Sequence, residues 1–378
     1  MEKQLRLSWD HAHLYINEKP FLPMIHEKAD VCLSSPQYNT LSITLSAAVG
    51  EDLDWEAQKL LAKQAVARGK YLFWNVDFGF DKNPVLLQDE ATFYSLSIAL
   101  EELNKQLLQP FAEHTIGVSL FQGKIPFAHY FIWSQQQEDL FMESLAEKKF
   151  FSAGDDSERW RRSEEGKFHY DNFSAALFAA YLQRLLSFLP DELLAFCLID
   201  VSQATSMAAT ALMLSKEKFP YLLLALRGAK ASFGHLSWEE GSCTGGWIGK
   251  GEVKERDIQP LQTALCLPKE EYLHGENIAL LEEVFAKLQD TAYRVIPEDM
   301  LTEAWNELTE IVVISSLLSP RGMRKIIGFC VAGGVVISYG EPLGLEEEVH
   351  FDEYIASVKG NRSRGIRTPD PLLPKQLR

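Results

Sequence analysis

The stretch YLFWNVD, Tyr71 to Asp77, decides the fold. It is short, rich in apolar and aromatic residues, ends on an acid, and is bounded by Gly69 and Gly79. Such a run between two helix-like patterns reads as a parallel strand covered on both faces. Four more runs repeat the pattern: Leu41-Ser46, Thr115-Gln122, Leu193-Asp200 and Tyr221-Arg227. Helical patterns separate them: Asp52 or Asp54 to Arg68 with Gly69 as the stop, about Asp89 to Gln109 before Pro110, Phe173-Phe188, and Gln203-Ser215. This alternation predicts an α/β protein: a (β/α) barrel of TIM type, whole or incomplete, over residues 1-260. Its rim, where chemistry sits in such barrels, carries Asn75, Asp77, Gln122, Asp200 and Arg227.

Around this frame, Leu5-Ser8 and His13-Ile16 read as a hairpin, with Asn17 to Pro20 as the turn. Residues 123-170 form an insertion containing the mixed-charge run Asp155 to Arg162, a lid or substrate wall on one reading and a solvated helix on the other. The glycine-rich stretch 228-260 reads as a loop or domain junction. Its glycines lack the strand–GxGxxG–helix context of a nucleotide site. A second module follows: strands Thr263-Leu267, Tyr293-Ile296, Glu310-Ser315 and Val335-Tyr339, with helices Glu276-Leu288, Pro297-Glu307 and one from Ser319-Pro320 to Val331. That order predicts a small doubly wound sheet over 261-345.

Composition narrows the function classes. The net charge of −16 opposes binding to phosphate backbones, so nucleic acid is not an expected partner. No apolar stretch reaches the ~20 residues of a membrane span, and MEKQLRLSWD lacks the apolar core of a signal peptide. The five cysteines, Cys32, Cys197, Cys243, Cys266 and Cys330, include no C-x-x-C pair and fit reduced thiols in a cytoplasm. His11, His13 and His26 have no acidic residue at a matching spacing, so no metal and no cofactor is expected. There is no G-x-S-x-G, P-loop or H-E-x-x-H.

From Lys359 to Arg378 the composition turns basic, with six Lys and Arg against Asp370 alone, and no amphipathic period. This reads as a disordered basic tail. RGIRTPDPLLPKQLR, ending at Arg378, also resembles the peptide made when a reading frame runs through a tRNA gene in antisense. On that reading the tail is readthrough, and the native end of the second module was lost somewhere after Glu341.

The second module resembles the glutamine-amidotransferase-like domain that follows the barrel in β-galactosidase-type glycoside hydrolases. The matching residues are Tyr293 to Ile296, Leu308 to Ile314, Leu318-Ser319-Pro320, and Ile326 to Val336 with its glycine pair Gly333-Gly334. Leu14 to Leu22 is similar to the hairpin ahead of many glycosidase barrels. The amidotransferase reaction is not implied: Cys266 falls within a strand and Cys330 within a helix, neither on an elbow.

The resemblance implies a glycoside hydrolase whose two carboxyl groups flank the scissile bond, about 5 Å apart for retention or 6.5–9.5 Å for inversion. It places the acid/base at the end of the fourth strand, where Asn-Glu is usual; this chain has Ile199-Asp200. Asp200 is equally placed to cap the next helix. The nucleophile comes from a late strand, and Glu239 and Glu240 beside Trp238 are the acids in that part of the chain. Asp77 is a further candidate. Trp74, Trp133 and Trp238 offer faces for sugar stacking or for core packing. The ligand implied is a neutral or amino sugar glycoside or an oligosaccharide, and the oligomeric state is left open, with a homo-oligomer among the readings. The alternative is a catalytically inactive carbohydrate-binding or scaffold protein on the same fold, which the missing Asn-Glu favours.

Overall fold

A computed structural model describes residues 5–9, 14–21, 23–26, 28–46, 55–80, 84–86, 89–124, 132–147, 162–190, 193, 195–200, 222–227, 231–233, 236–238, 247–249, 262–288, 291, 293–305 and 307–363. The fold is α/β, with two compact units, Met1–Pro260 and Leu261–Arg378.

The first unit opens with an antiparallel meander of β1 (Leu7–Trp9), β2 (Leu14–Ile16) and β3 (Lys19–Phe21). Asn17 and Glu18 join β2 to β3 with φ of 51° and 67°. Two left-handed residues give the turn whose twist matches its strands. Pro20 therefore lies in an edge strand, where its missing N–H is tolerated, and not in the turn.

Next come β4 (Met24–His26), α1 (Ala29–Ser34), β5 (Thr40–Ser46), α2 (Trp55–Ala67), β6 (Tyr71–Asp77) and α3 (Glu90–Leu103). Asp89 caps α3 by accepting the Ala91 amide. Beyond them run β7 (Thr115–Lys124), α4 (Gln135–Glu147), α5 (Glu164–Leu186), β8 (Ala195–Asp200) and β9 (Leu222–Arg227). Three short strands close the unit: β10 (Ala231–Phe233), β11 (Leu236–Trp238) and β12 (Trp247–Gly249).

Six of these strands form one parallel ladder in the order β5-β6-β7-β8-β9-β11. β12 pairs in parallel with β4, Trp247 opposite Met24 and Gly249 opposite His26. β4 in turn neighbours β5, its Met24 carbonyl accepting the Asn39 amide at 3.1 Å, and β12 neighbours β11. Eight strands thus follow one another around a ring, with the ladder interrupted at the β4/β5 and β11/β12 seams.

Two sequence expectations change here. The region 228–260 contributes strands as well as loop, and β11 is the seventh strand of the ring. The count also begins at β4, so β7 is the fourth strand and β8, with Asp200, is the fifth. Strands of three residues fall below the length at which periodicity is legible, which hid β4, β11 and β12.

Register explains the layering. Leu41, Ile43 and Leu45 of β5 lie opposite Leu72, Trp74 and Val76 of β6, and all six are buried. On the other face Ser42, Thr44 and Ser46 lie opposite Phe73, Asn75 and Asp77. β5 is therefore apolar on one face only, with Thr44 and Ser46 exposed. A strand buried on both faces was expected at this position. β-Bulges interrupt β7 between Leu72/Phe73 on the β6 side and Ser119/Phe121 on the β8 side, the second lying just before Gln122.

In the second unit, β13 (Thr263–Leu267), α6 (Glu276–Leu288), β14 (Tyr293–Pro297), α7 (Leu301–Ala304), β15 (Glu310–Ile314), α8 (Pro320–Val331), β16 (Val335–Tyr339), β17 (Glu348–His350) and α9 (Phe351–Ser363) alternate. Its strands are parallel, in the order β14-β13-β15-β16-β17. The chain steps from β13 to β14 on one side and then to β15 on the other, so the switch point lies between β13 and β15. α9 runs to Ser363, five residues into the segment read as a tail; residues 364–378 lie outside the described set.

Candidate functional site

All ring strands that pair run the same way, so their carboxyl ends meet at one mouth. β5 brings Ser46, β6 Asp77, β7 Gln122 to Lys124, β8 Asp200, β9 Arg227 and β11 Trp238. Lys124 is in register with Asp200, Asp200 with Arg227, and Arg227 with Trp238, so these four share one level across neighbouring strands. Glu239 and Glu240 follow Trp238 in sequence and lie outside the described residues.

Below the mouth the face of β5 and β6 opposite the apolar layer is polar. Asn75 Nδ2 donates to Ser42 Oγ at 2.7 Å. Asn75 is 7 % exposed, and its Oδ1 is buried without a hydrogen-bond partner. A buried acceptor in that state costs about 1–3 kcal/mol. Thr44 lies opposite Asn75 across β5, and Ser119 opposite it on β7. Asp77 accepts the Gly79 amide at 2.8 Å, an Asx turn that directs the chain out of β6 and occupies one carboxylate oxygen.

The tryptophans divide differently from expectation. Trp74 is fully buried, on the same face as Leu72 and Val76. Its Nε1 donates to Thr115 Oγ1 at 3.1 Å and its ring packs on Phe111 at 6.3 Å. It presents no face to a ligand, and its assignment to substrate binding is corrected: alternation along β6 turns position 74 away from Asn75 and Asp77. Trp133 stacks on Tyr170 with centroids 4.6 Å apart, in a cluster with Phe173 that ties the start of α4 to α5. One of its ring faces is thereby covered. Trp238 is placed by its backbone at the rim.

Asp171 on α5 escaped the sequence reading. Burial pushes its carboxyl up to about 6. Ser42 and Thr44 also escaped it, although hydroxyls at every second position of Thr40 to Ser46 are a signal for a half-polar strand. His11 and His13 lie outside the described residues. Among the described residues no three His, Cys, Asp or Glu side chains converge as metal ligands.

In the second unit the corresponding crevice is filled from within. Glu298 is 2 % exposed and accepts the Ser319 amide at 3.0 Å and the Ser319 hydroxyl. Ser319 caps α8 through the Gly322 amide at 3.0 Å. A Cβ at Gly322 would stand 2.7 Å from Glu298 Oε1, so only glycine admits the carboxylate here. Cys266 is buried on β13, where burial pushes its thiol up, out of nucleophilic use.

No family model and no curated protein sequence matches the chain. Among solved structures it is similar to the exo-β-1,4-mannosidase Op5Man5 from Opitutaceae bacterium strain TAV5, at 10% identity and TM-score 0.46, over 89% of this chain and 80% of that one. The β-galactosidase of the psychrophilic Marinomonas ef1 follows, at 7% identity and TM-score 0.47, over 86% and 78%. The β-galactosidase of the Antarctic haloarchaeon Halorubrum lacusprofundi matches at 8% identity and TM-score 0.50, over 84% and 72%. The last likeness bears on the fold alone: the chain shares an α/β architecture with that structure. No helix of the described residues is long and apolar enough to cross a membrane.

Proposed function

We propose that the first unit binds a neutral or amino sugar, or an oligosaccharide of such units, at the carboxyl ends of its ring. On this reading it is a catalytically silent relative of the β-galactosidase-type glycoside hydrolases. The observation that carries the reading is the polar face of β5 and β6, where Ser42, Thr44, Asn75 and Asp77 lead up to the mouth. Hydroxyl, amide and carboxylate groups gathered on one strand face suit a ligand that is itself a sheet of hydroxyls. Gln122, Arg227, Trp133 and Trp238 are its further candidate contacts.

The silence follows from the rim. The fourth strand of the ring ends Phe121-Gln122-Gly123-Lys124, so the place that the resemblance gives to the acid/base carries no carboxyl group to transfer a proton. Asp200, one strand on, stands in register between Lys124 and Arg227. Hydrolysis is the second reading, favoured by Glu239-Glu240 directly after the seventh strand, where a late-strand nucleophile would come from. The protein would act in the cytosol, with Cys32, Cys266 and Cys330 as buried free thiols.

Calorimetric titration with the methyl β-glycosides of galactose, glucose and mannose, run beside aryl-glycoside turnover, tests both readings. Binding without turnover supports the silent protein. Turnover abolished by Glu239→Gln or Glu240→Gln would move the conclusion to the enzyme, and no binding at all would overturn both.

A further inference from the structure

We infer that Asn75 is the specificity-determining residue of the mouth: its Oδ1 accepts a hydrogen bond from a ligand hydroxyl, so the deep end of the ligand must be a donor. The inference rests on the sugar-binding reading and deepens it. Asn75 is 7 % exposed, and its amide has two ends with opposite fates. Nδ2 is held by Ser42 Oγ at 2.7 Å, which fixes the amide plane and leaves Oδ1 as the end that meets no donor. The surroundings are acceptor-capable hydroxyls, Thr44 in register on β5 and Ser119 in register on β7. Two residues further along β6, Asp77 stands exposed at the strand's end.

A polar atom left unpaired in a folded protein destabilises it, and a site built around such an atom rejects ligands that lack the complementary group. A ligand carbonyl, ether or carboxylate offers Oδ1 only repulsion. A hydroxyl satisfies it, and the fixed amide plane makes that bond directional.

The test uses the full chain and the methyl glycoside that binds best, with its monodeoxyfluoro analogues, in which fluorine keeps the shape of a hydroxyl but donates nothing. Asn75→Leu is expected to weaken binding of the parent glycoside by about tenfold or more, since a ligand hydroxyl is left unpaired. The same change should raise Tm by about 1–3 °C, because the unpaired oxygen is gone. One fluoro analogue should bind the natural protein at least about tenfold more weakly than its parent and bind Asn75→Leu no worse than its parent does. A Tm unchanged or lowered by Asn75→Leu would show that the oxygen is satisfied internally, as by a trapped water, and overturns the inference. Unaltered affinity in Asn75→Leu overturns it while leaving the sugar reading standing; no glycoside binding to the natural protein sinks both.

Discussion

Just past the carboxyl end of β14 a carboxylate, that of Glu298, is met by two donors from Ser319 of its own chain. In the carboxyl half of β6 an amide oxygen, that of Asn75, is met by none. Both lie where parallel α/β architectures hold ligands. The second unit fills that place with its own side chain, packed so closely that residue 322 must be glycine. The first unit keeps one amide oxygen there, that of Asn75, without an internal partner. A crevice satisfied from within is built for stability, and one left short of donors is built for something that arrives later. On the proposed reading, the difference gives ligand work to the first unit and a structural role to the Glu298–Ser319 pair of the second.

The largest expected effect falls on the filled crevice. Glu298→Ala removes a buried charge-assisted pair and leaves the Ser319 amide unpaired, which should lower stability by about 3–5 kcal/mol in urea unfolding. Gly322→Ala should be damaging alone, by about 2–3 kcal/mol, and nearly neutral in the Glu298→Ala background, because its added methyl then meets space. Additive losses in that cycle would break the contrast between the two crevices.

Next in size is Trp74→Phe. It removes the Nε1 bond to Thr115 and part of the packing on Phe111, at a cost of about 1–3 kcal/mol, with glycoside affinity unchanged. A loss of affinity at constant stability would return Trp74 to the mouth.

A smaller, pH-dependent effect belongs to Asp171. Burial holds its folded pKa at about 6 against an ordinary value of 3.8, so the folded state keeps the proton over that window while the unfolded chain releases it. Its neutral form is the favoured one in the fold. That contribution is fully present below about pH 4 and is lost as pH rises through about 6. Asp171→Asn should therefore stabilise the protein on the order of 1–2 kcal/mol at pH 7, after allowance for partial exposure, and should change nothing at pH 3.5. Thermal unfolding across that range checks the sign. The smallest effect concerns the basic tail: removal of residues 364–378 should leave Tm unchanged within error, and a fall of several degrees would give that segment a structural role.

What was legible in the sequence follows from element length and from which face a residue takes. Thr263–Leu267 and Glu310–Ile314 are each one polar residue followed by four apolar ones, long enough for a buried parallel strand to be read directly. Ser319-Pro320 announced the start of α8 through its cap and its proline at the first turn. β4, β11 and β12, at three residues each, carry no readable period; all three were missed, and the absence of β4 shifted the numbering of the strands after it by one. On the observed order Asp200 ends the fifth strand of the ring. Trp74 was assigned to the rim because the phase of β6 relative to β5 is a property of register, which a single strand does not reveal. α9 runs through Gly360 and Asn361, poor helix formers on which propensity alone would have stopped it; Phe351, Tyr354, Ile355 and Val358 are buried along its apolar side. The missing donor to Asn75 depends on neighbours from three strands and has no signature in the chain.

The ring itself is open to direct measurement. Nitroxide labels on cysteines introduced at Ser46 and Ser237, with the native cysteines replaced by alanine, report the span from β5 to β11 by electron–electron resonance. Around a closed ring of eight strands these positions lie three steps apart, with backbones separated by about 14 Å. In an open sheet of the order β5-β6-β7-β8-β9-β11 they lie five steps apart, at about 24 Å. The closed mouth predicts the short distance; a distribution centred on the long one would contradict it and remove the shared pocket.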